Sequence, residues 1–479
     1  MSSIVTTHQK LDELFPAPSH PHSLLSPQRL PGSTPESLAA LQNVLRDNHQ
    51  RYHIFWNDTR FHSHVTHRAL AIYALGGPAT IIRDYNERDG QTQRPAFESP
   101  EPITEENFVD HLEDENYYQA YVTFFSKQVA EKGAARTLEE FVFSEKYNFQ
   151  EGRDANTQPK MLVRLMDGVL HPMIHVGYGV EFGLKGILVE GLALTAAQLA
   201  YPEAPLPPFY FAPSTVRKAN GVHAFDVVAR MLKDKRLKRK PSEDNTKQFG
   251  DTLNEHASTI YNYVEQWTVD LNQPREIERK MEEAIWLSSL IYGVGGWRPS
   301  GFQADFYLYH AYGDLEPLPP FVDCIPLTMF PNSSLACLFH HRSPYWVARG
   351  QPPLNVKSFM TTTSIDPPVI TSPPKAPLST ETTPIPNPFL PILQSAITHP
   401  NSHLTKIQRA FAHFDMLYGT RPTGYFKNTG LEDAELLDGS LFLRTALLTA
   451  DYVGWVREGG VPKLLGKEPK LFSFEGFYE

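Results

Sequence analysis

The stretch LMDGVLHPMIHVGYGVEFGLKGILVEGLALTAAQLAY, Leu165 to Tyr201, decides the fold class. It is almost wholly apolar and shows no period-2 alternation, so it predicts helices rather than half-buried strands. Pro172 lacks an N–H and cannot lie deep in a helix, and it disfavours αR at His171. A helix starting at Pro172 therefore places His175 in its first turn. Gly177 to Gly183 is expected to interrupt it, and Leu184 to Leu199 to form a second helix. Lys185 and Glu190 stand inside the apolar run. Charge is costly at the centre of a membrane span, so the run predicts a buried helix and not a bilayer one.

Working outward, the same reading gives helices over most of the chain. Thr34 is a suitable N-cap and Pro35 a suitable first residue. Leu38, Leu41 and Leu45 then form one apolar stripe in a helix running towards Asn48. Further helices are expected over His64–Leu75, where Gly76, Gly77 and Pro78 end the element, and over Ile81–Asn86, Asn116–Lys132 and Thr137–Phe149. Others are expected within Val216–Lys240, and over Asn254–Leu271, Pro274–Tyr292 and Thr398–Leu417. Glu101 to Asp114 reads as a surface segment, and the Pro/Ser/Thr-rich stretch 366–391 as a loop. The expectation is a mainly α, large single-domain fold over 1–479, with residues 1–30 as an N-terminal extension.

Composition narrows the function. The 479 residues carry 44 Lys and Arg against 54 Asp and Glu, a net charge of −10. That balance disfavours general binding to a phosphate backbone, so no nucleic-acid partner is expected. The two cysteines, Cys324 and Cys337, are too few for a disulfide framework or a thiolate zinc site. With no signal-peptide pattern at the N-terminus, a cytoplasmic protein without a membrane partner is expected. KDKRLKRK, from Lys233 to Lys240, reads as a solvated helix end. No GxxxxGK[ST], GxSxG or HExxH is present, so nucleotide hydrolysis, serine-hydrolase chemistry and a zincin site are unsupported. The GYGVEFG run is read as glycines that permit close helix contact rather than a dinucleotide loop.

Histidine is the unusual residue, with 19 copies. His64 with His67, His171 with His175, and His399 with His403 stand three or four apart, a spacing that puts two imidazoles on one helical face. Imidazoles without thiolates suit iron, copper or zinc. Spacing does not choose between the members of a pair. Lys406 follows His403 by three residues. A buried lysine that loses its proton can act as a base, or react with carbon dioxide to give an anionic carbamate ligand.

Six segments resemble one known family: NHQRYHIFWND and RFHSHVTHRALAIYALG (from Asn48 and Arg60), HPMIHVGYGVEF (from His171), DFYLYHAYGDLEPLP (from Asp305), YWVARGQPPL (from Tyr345) and HPNSHLTKIQRA (from His399). In this order they resemble the questin oxidase-like proteins of fungal polyketide pathways. The resemblance adds His310 to the set. It implies oxidative opening of an anthraquinone-type polyketide, a small aromatic substrate. Some members look like Baeyer–Villiger oxidases that use NADPH without a flavin motif. Others look like non-haem iron enzymes that cleave a C–C bond with O2. The chain departs from the family where His67 is followed by Arg68 rather than a second histidine, and in its longer Pro/Ser/Thr insertion.

The expected site is an iron centre held by His67, His175, His310 and His403, with Lys406 as carbamate ligand or base. His64 and His171 are the alternatives, as ligands or as groups acting on substrate. Tyr52, Trp56 and Tyr178 are expected to pack against a flat aromatic substrate. Two rivals stand beside it: a metal-free, NADPH-dependent oxidase of the same substrates, and a non-catalytic helical scaffold with structural histidines.

Overall fold

The computed structural model describes residues 11–23, 25–201, 221–241, 247–270, 272–313, 334–367, 387–456 and 471–478. The fold is mainly α. The elements that build the site are α1 (Pro35–Arg51), α2 (Val65–Ala74), α3 (Ala79–Gly90), α4 (Tyr118–Lys132), α5 (His171–Glu181), α6 (Lys185–Ala197), α7 (Ser402–Tyr418) and α8 (Ser440–Val453). The paired strands among the described residues are a two-residue hairpin, Trp297–Arg298 against Gly301–Phe302.

Local chemistry sets the helix starts. Thr34 Oγ1 accepts from the Ser37 amide and Ser37 Oγ accepts from the Thr34 amide, a reciprocal cap that satisfies two donors at the head of α1. Leu41, Val44 and Leu45 of α1 are buried, as their spacing requires. Every residue of α2 is buried. Gly76 ends it at φ +78°, against Pro31 and Gly32, where a Cβ would strike the Pro31 carbonyl.

The pair α5–α6 is the centre of the molecule, and it corrects one expectation. Helix α5 runs through Gly177 and Gly179 instead of stopping there. A Cβ on Gly179 would lie 2.4 Å from the Leu188 amide nitrogen, and one on Gly191 would lie 2.7 Å from that of Val176. The glycines are helical because the two helices pack backbone to backbone, and the break comes at Gly183, with φ +65°.

Other differences have equally local causes. His399 and His403 do not share a helix: Pro400 separates them, and α7 starts at Ser402 behind an Asn401 cap. The expected helix over 137–149 is a short α turn, Ala134–Leu138, then a π turn, Glu139–Phe143. The segment 101–114 is irregular but not wholly superficial, since Phe108 is buried among Tyr121, Phe125 and Phe141. The loop expected to reach 391 ends earlier, because Phe389–Ile397 is helical; residues 368–386 lie outside the described residues, as does Cys324. Cys337 is a buried free thiol.

The described part of the N-terminal extension packs onto this body. Phe15 is buried, the Ser19 amide donates to the Phe182 carbonyl at 2.8 Å, and the Leu30 amide donates to the Ala74 carbonyl at 2.8 Å. Among the described residues no helix is long and apolar enough to cross a membrane.

Candidate active site

Three helices present their first turns to one place. His64 caps α2 and His67 follows in its first turn; His171 opens α5 and His175 lies one turn on; His403 is the second residue of α7. His310 comes from a π turn, Tyr309–Gly313, and His62 from an extended segment bridged to Phe55. The seven rings form one cluster. His171 is stacked on His62 at 4.3 Å and on His64 at 5.0 Å, and His403 stands 4.5 Å from His64 and 4.9 Å from His310 between centroids. His67, His171, His175 and His310 are buried, whereas His62, His64 and His403 are half-buried and face outward.

Hydrogen bonds fix several tautomers. Nδ1 of His171 lies 2.7 Å from the Gly168 carbonyl and must donate to it, leaving an Nε2 lone pair. Asn401 Oδ1 accepts from the His403 amide and from its Nδ1, both at 3.0 Å. His403 Nε2 is therefore a lone pair, and it is buried without a hydrogen-bond partner among the described residues. His64 Nε2 meets His171 Nε2 at 2.8 Å, so His64 supplies the shared proton and its Nδ1 accepts from Ser402 at 3.1 Å. His67 Nε2 lies 3.0 Å from His175 Nδ1, and His175 Nε2 lies 3.0 Å from Glu190 Oε2.

Burial disfavours the protonated form of five of the seven rings. Loss of solvation holds the His64, His67, His171 and His403 imidazoles well below their ordinary value and His62 down to about 4; neighbouring imidazoles and Lys406 push the same way. The first turns of α2, α5 and α7 add partial positive charge, which further disfavours imidazolium and favours any negative charge that develops there. Lys406 is 2% exposed, with Nζ 5.7 Å from the Tyr309 ring centre.

A pocket of about 610 Å³ opens onto the outward face, lined by Trp56, His62, His64, Arg68, His403 and Leu471 among others. That is ordinary room for a small organic ligand. Arg68 is buried in its wall, bonded to Asp89 and to the Pro400 carbonyl. The chain end 471–478 braces the far side, with Phe472 against Tyr309 and His403.

The structure brings His64, His67, His171, His175, His310, His403 and Lys406 together. His64, His171, His310 and His403 form the tighter group, and His67 with His175 forms a branch ending on Glu190. As placed, the rings stack and hydrogen-bond with one another: among the described residues no three His, Cys, Asp or Glu side chains are arranged to hold a metal ion. His399 lies on the pocket wall, outside the ring cluster. Trp56 lines the pocket, 38% exposed. Tyr178 is buried behind His67 at 5.4 Å, and Tyr52 sits at the end of α1 against Arg51 and Gly90, so neither lines the pocket. Sequence reading missed His62, His49 and Glu190. A carboxylate inside an apolar helical run was the available signal for Glu190.

Residues 61–411, a span that contains all seven imidazoles and Lys406, match a family model described as questin oxidase-like. The chain belongs to the questin oxidase-like family. It is 33% identical over 167 residues to a Baeyer–Villiger oxidase of Paecilomyces divaricatus, covering 34% of each chain. It is 33% identical over 171 residues to a Baeyer–Villiger oxidase of Pestalotiopsis fici, 33% of this chain and 35% of that one. With the questin oxidase of Aspergillus terreus it shares 27% identity over 288 residues, 57% of this chain and 60% of that one. The matches thus span between about a third and three fifths of those relatives.

Proposed function

We propose that this family member is an oxygenase that opens the ring of an anthraquinone-type polyketide in secondary metabolism, with O2 as co-substrate and a non-haem iron held by imidazoles. The observation that carries the reading is the cluster of desolvated imidazoles beneath the 610 Å³ pocket. The donor set suits the metal. His171 and His403 each anchor Nδ1 on a backbone carbonyl or side-chain amide, the outer bond that metal-bound imidazoles use, and leave Nε2 as a lone pair. His64, His171, His310 and His403 would hold the ion, a shift from the set built on His67 and His175. Iron supplies the one-electron steps that O2 requires and that side chains do not offer.

The chain's own residues do the rest. Trp56 offers a ring face at the pocket mouth to a flat substrate. His62 faces the pocket and bonds the substrate's phenols or carbonyls. Lys406, one turn beyond His403, takes a phenol proton and so raises the ring's electron density, or serves, once carboxylated, as an anionic ligand.

A second reading, a metal-free NADPH-dependent Baeyer–Villiger oxidase, is favoured by one feature: three helix N-termini and Lys406 surround the cluster with positive potential, which stabilises a phenolate or peroxy anion. Plasma mass spectrometry of the purified protein, with a His171→Ala/His403→Ala variant and an anthraquinone oxidation assay, separates the two. About one iron per chain, lost in the variant together with turnover, supports the first. Ring opening that needs NADPH and survives chelation supports the second. A protein that turns over no hydroxylated anthraquinone under either condition overturns both.

A further inference from the structure

Behind the imidazole cluster stands a buried carboxylate, which one ring of the cluster reaches. Glu190 lies in the middle of α6, 1% exposed, and is bonded on both sides: Oε2 to His175 Nε2 at 3.0 Å and Oε1 to His49 Nδ1 at 2.6 Å. Burial alone would raise its carboxyl, but the bonds from His175 and His49 hold it below the ordinary value, so it is an anion and can only accept. His175 Nε2 then carries a proton, and in the neutral ring His175 Nδ1 is a lone pair. His67 Nε2, 3.0 Å from that lone pair, must donate to it. The last atom of the chain, His67 Nδ1, is left as a lone pair, and it is buried with no hydrogen-bond partner among the described residues. With neutral rings each link sets the next, and the order begins at Glu190. His49 faces a second pocket, of about 470 Å³, bordered by α1 and α4. The backbone contact of Gly179 and Gly191 across α5 and α6 is what brings Glu190 within reach of His175.

We propose that Glu190 is a positioning residue, which fixes the polarity of the hydrogen-bond chain Glu190–His175–His67 and so keeps His67 Nδ1 as an acceptor atom within the imidazole cluster. Its effect on turnover rests on the oxygenase reading above; its effect on the tautomers does not.

The test is long-range 1H–15N NMR of protein labelled at histidine, with signals assigned through His175→Gln and His67→Gln, beside kinetics of anthraquinone oxidation. In the wild type, His175 and His67 are both expected in the Nε2–H form; an Nδ1–H form at either residue overturns the proposal without any variant at Glu190. Glu190→Met removes the acceptor at similar volume. It should shift both rings to the Nδ1–H form and lower kcat about tenfold or more at little change in KM. Glu190→Gln keeps an acceptor oxygen and should retain the Nε2–H forms and most of kcat. A Glu190→Met protein with wild-type tautomers, or with kcat within twofold of wild type, overturns the proposal. So does a Glu190→Gln protein that falls as far as Glu190→Met. If the tautomers invert as stated but the wild type itself oxidises no anthraquinone, the oxygenase reading fails while the assignment of Glu190 stands.

Discussion

His64 Nε2 and His171 Nε2, 107 residues apart in the chain, meet at 2.8 Å and share one proton. Two nitrogens bound to one ion at about 2.1 Å stand roughly 3 to 3.4 Å apart, so a small ring movement makes room for a cation once the shared proton leaves the gap. His64 keeps that proton by moving it from Nε2 to Nδ1, where Ser402 Oγ turns to accept it. Calorimetric titration with ferrous iron in two buffers of different ionisation enthalpy should therefore give the same enthalpy in both, with no net proton release. The His171→Ala variant should lose this binding, and His399→Ala, outside the cluster, should retain it.

Trp56 touches the pocket and nothing in the imidazole cluster depends on it for a hydrogen bond. Trp56→Ala should raise KM for a hydroxylated anthraquinone several-fold and leave kcat within about twofold, the signature of lost uniform binding. A fall in kcat at constant KM would place Trp56 in the chemistry instead.

Gly179 has no room for a side chain, because a Cβ would lie 2.4 Å from the backbone of α6. Gly179→Ala should destabilise the fold by about 1–3 kcal/mol or more, read as a lower denaturation midpoint. It should also separate His175 from Glu190 and so lower turnover in the folded fraction. An unchanged midpoint would mean that α5 and α6 are further apart than described.

Acid should unfold this protein early. His62 and His399 are held near 4, and His341 and His413 near 3, chiefly by burial, against an unfolded value near 6.5. The unfolded chain therefore binds more protons than the folded one below pH 6.5. Their contribution to stability is present above that value and is lost as pH falls towards 4 and 3, at roughly 1.4 kcal/mol per pH unit for each titrating imidazole. Asp167 and Asp415, which burial raises to about 8 and about 6, and Glu181 and Asp451, which burial also raises, work in the opposite sense, but the lowered imidazoles outnumber them. Melting temperatures measured from pH 7.5 to pH 4.5 should fall continuously; a flat profile would mean that the imidazoles are not desolvated.

The helices were legible because their signals are local. Thr34 and Pro35 announce α1, Gly76 ends α2, and the apolar run through Leu184 marks α6. The misread glycines show the limit of that evidence. Gly177 and Gly179 carry a helix-breaking propensity of about 1 kcal/mol each, yet they are helical because packing against α6 outweighs it. His399 and His403 looked like neighbours at helical spacing, until Pro400 placed a helix start between them.

The sequence by itself determined the fold class, the family and most of the ring cluster: His64, His67, His171, His175, His310, His403 and Lys406 are all visible in its motifs, whereas His62 and Glu190 were not singled out. Only the tertiary structure decided how those groups are paired. Helical spacing says which rings share a face, but hydrogen bonds between rings from α2, α5 and α7 depend on how the helices cross. That crossing joined His64 to His171, tied His67 and His175 to Glu190, and left Tyr52 and Tyr178 away from the pocket. The partition has a physical reason: imidazoles are placed along the chain by local sequence, but the bonds that join ring to ring come from partners a hundred or more residues away.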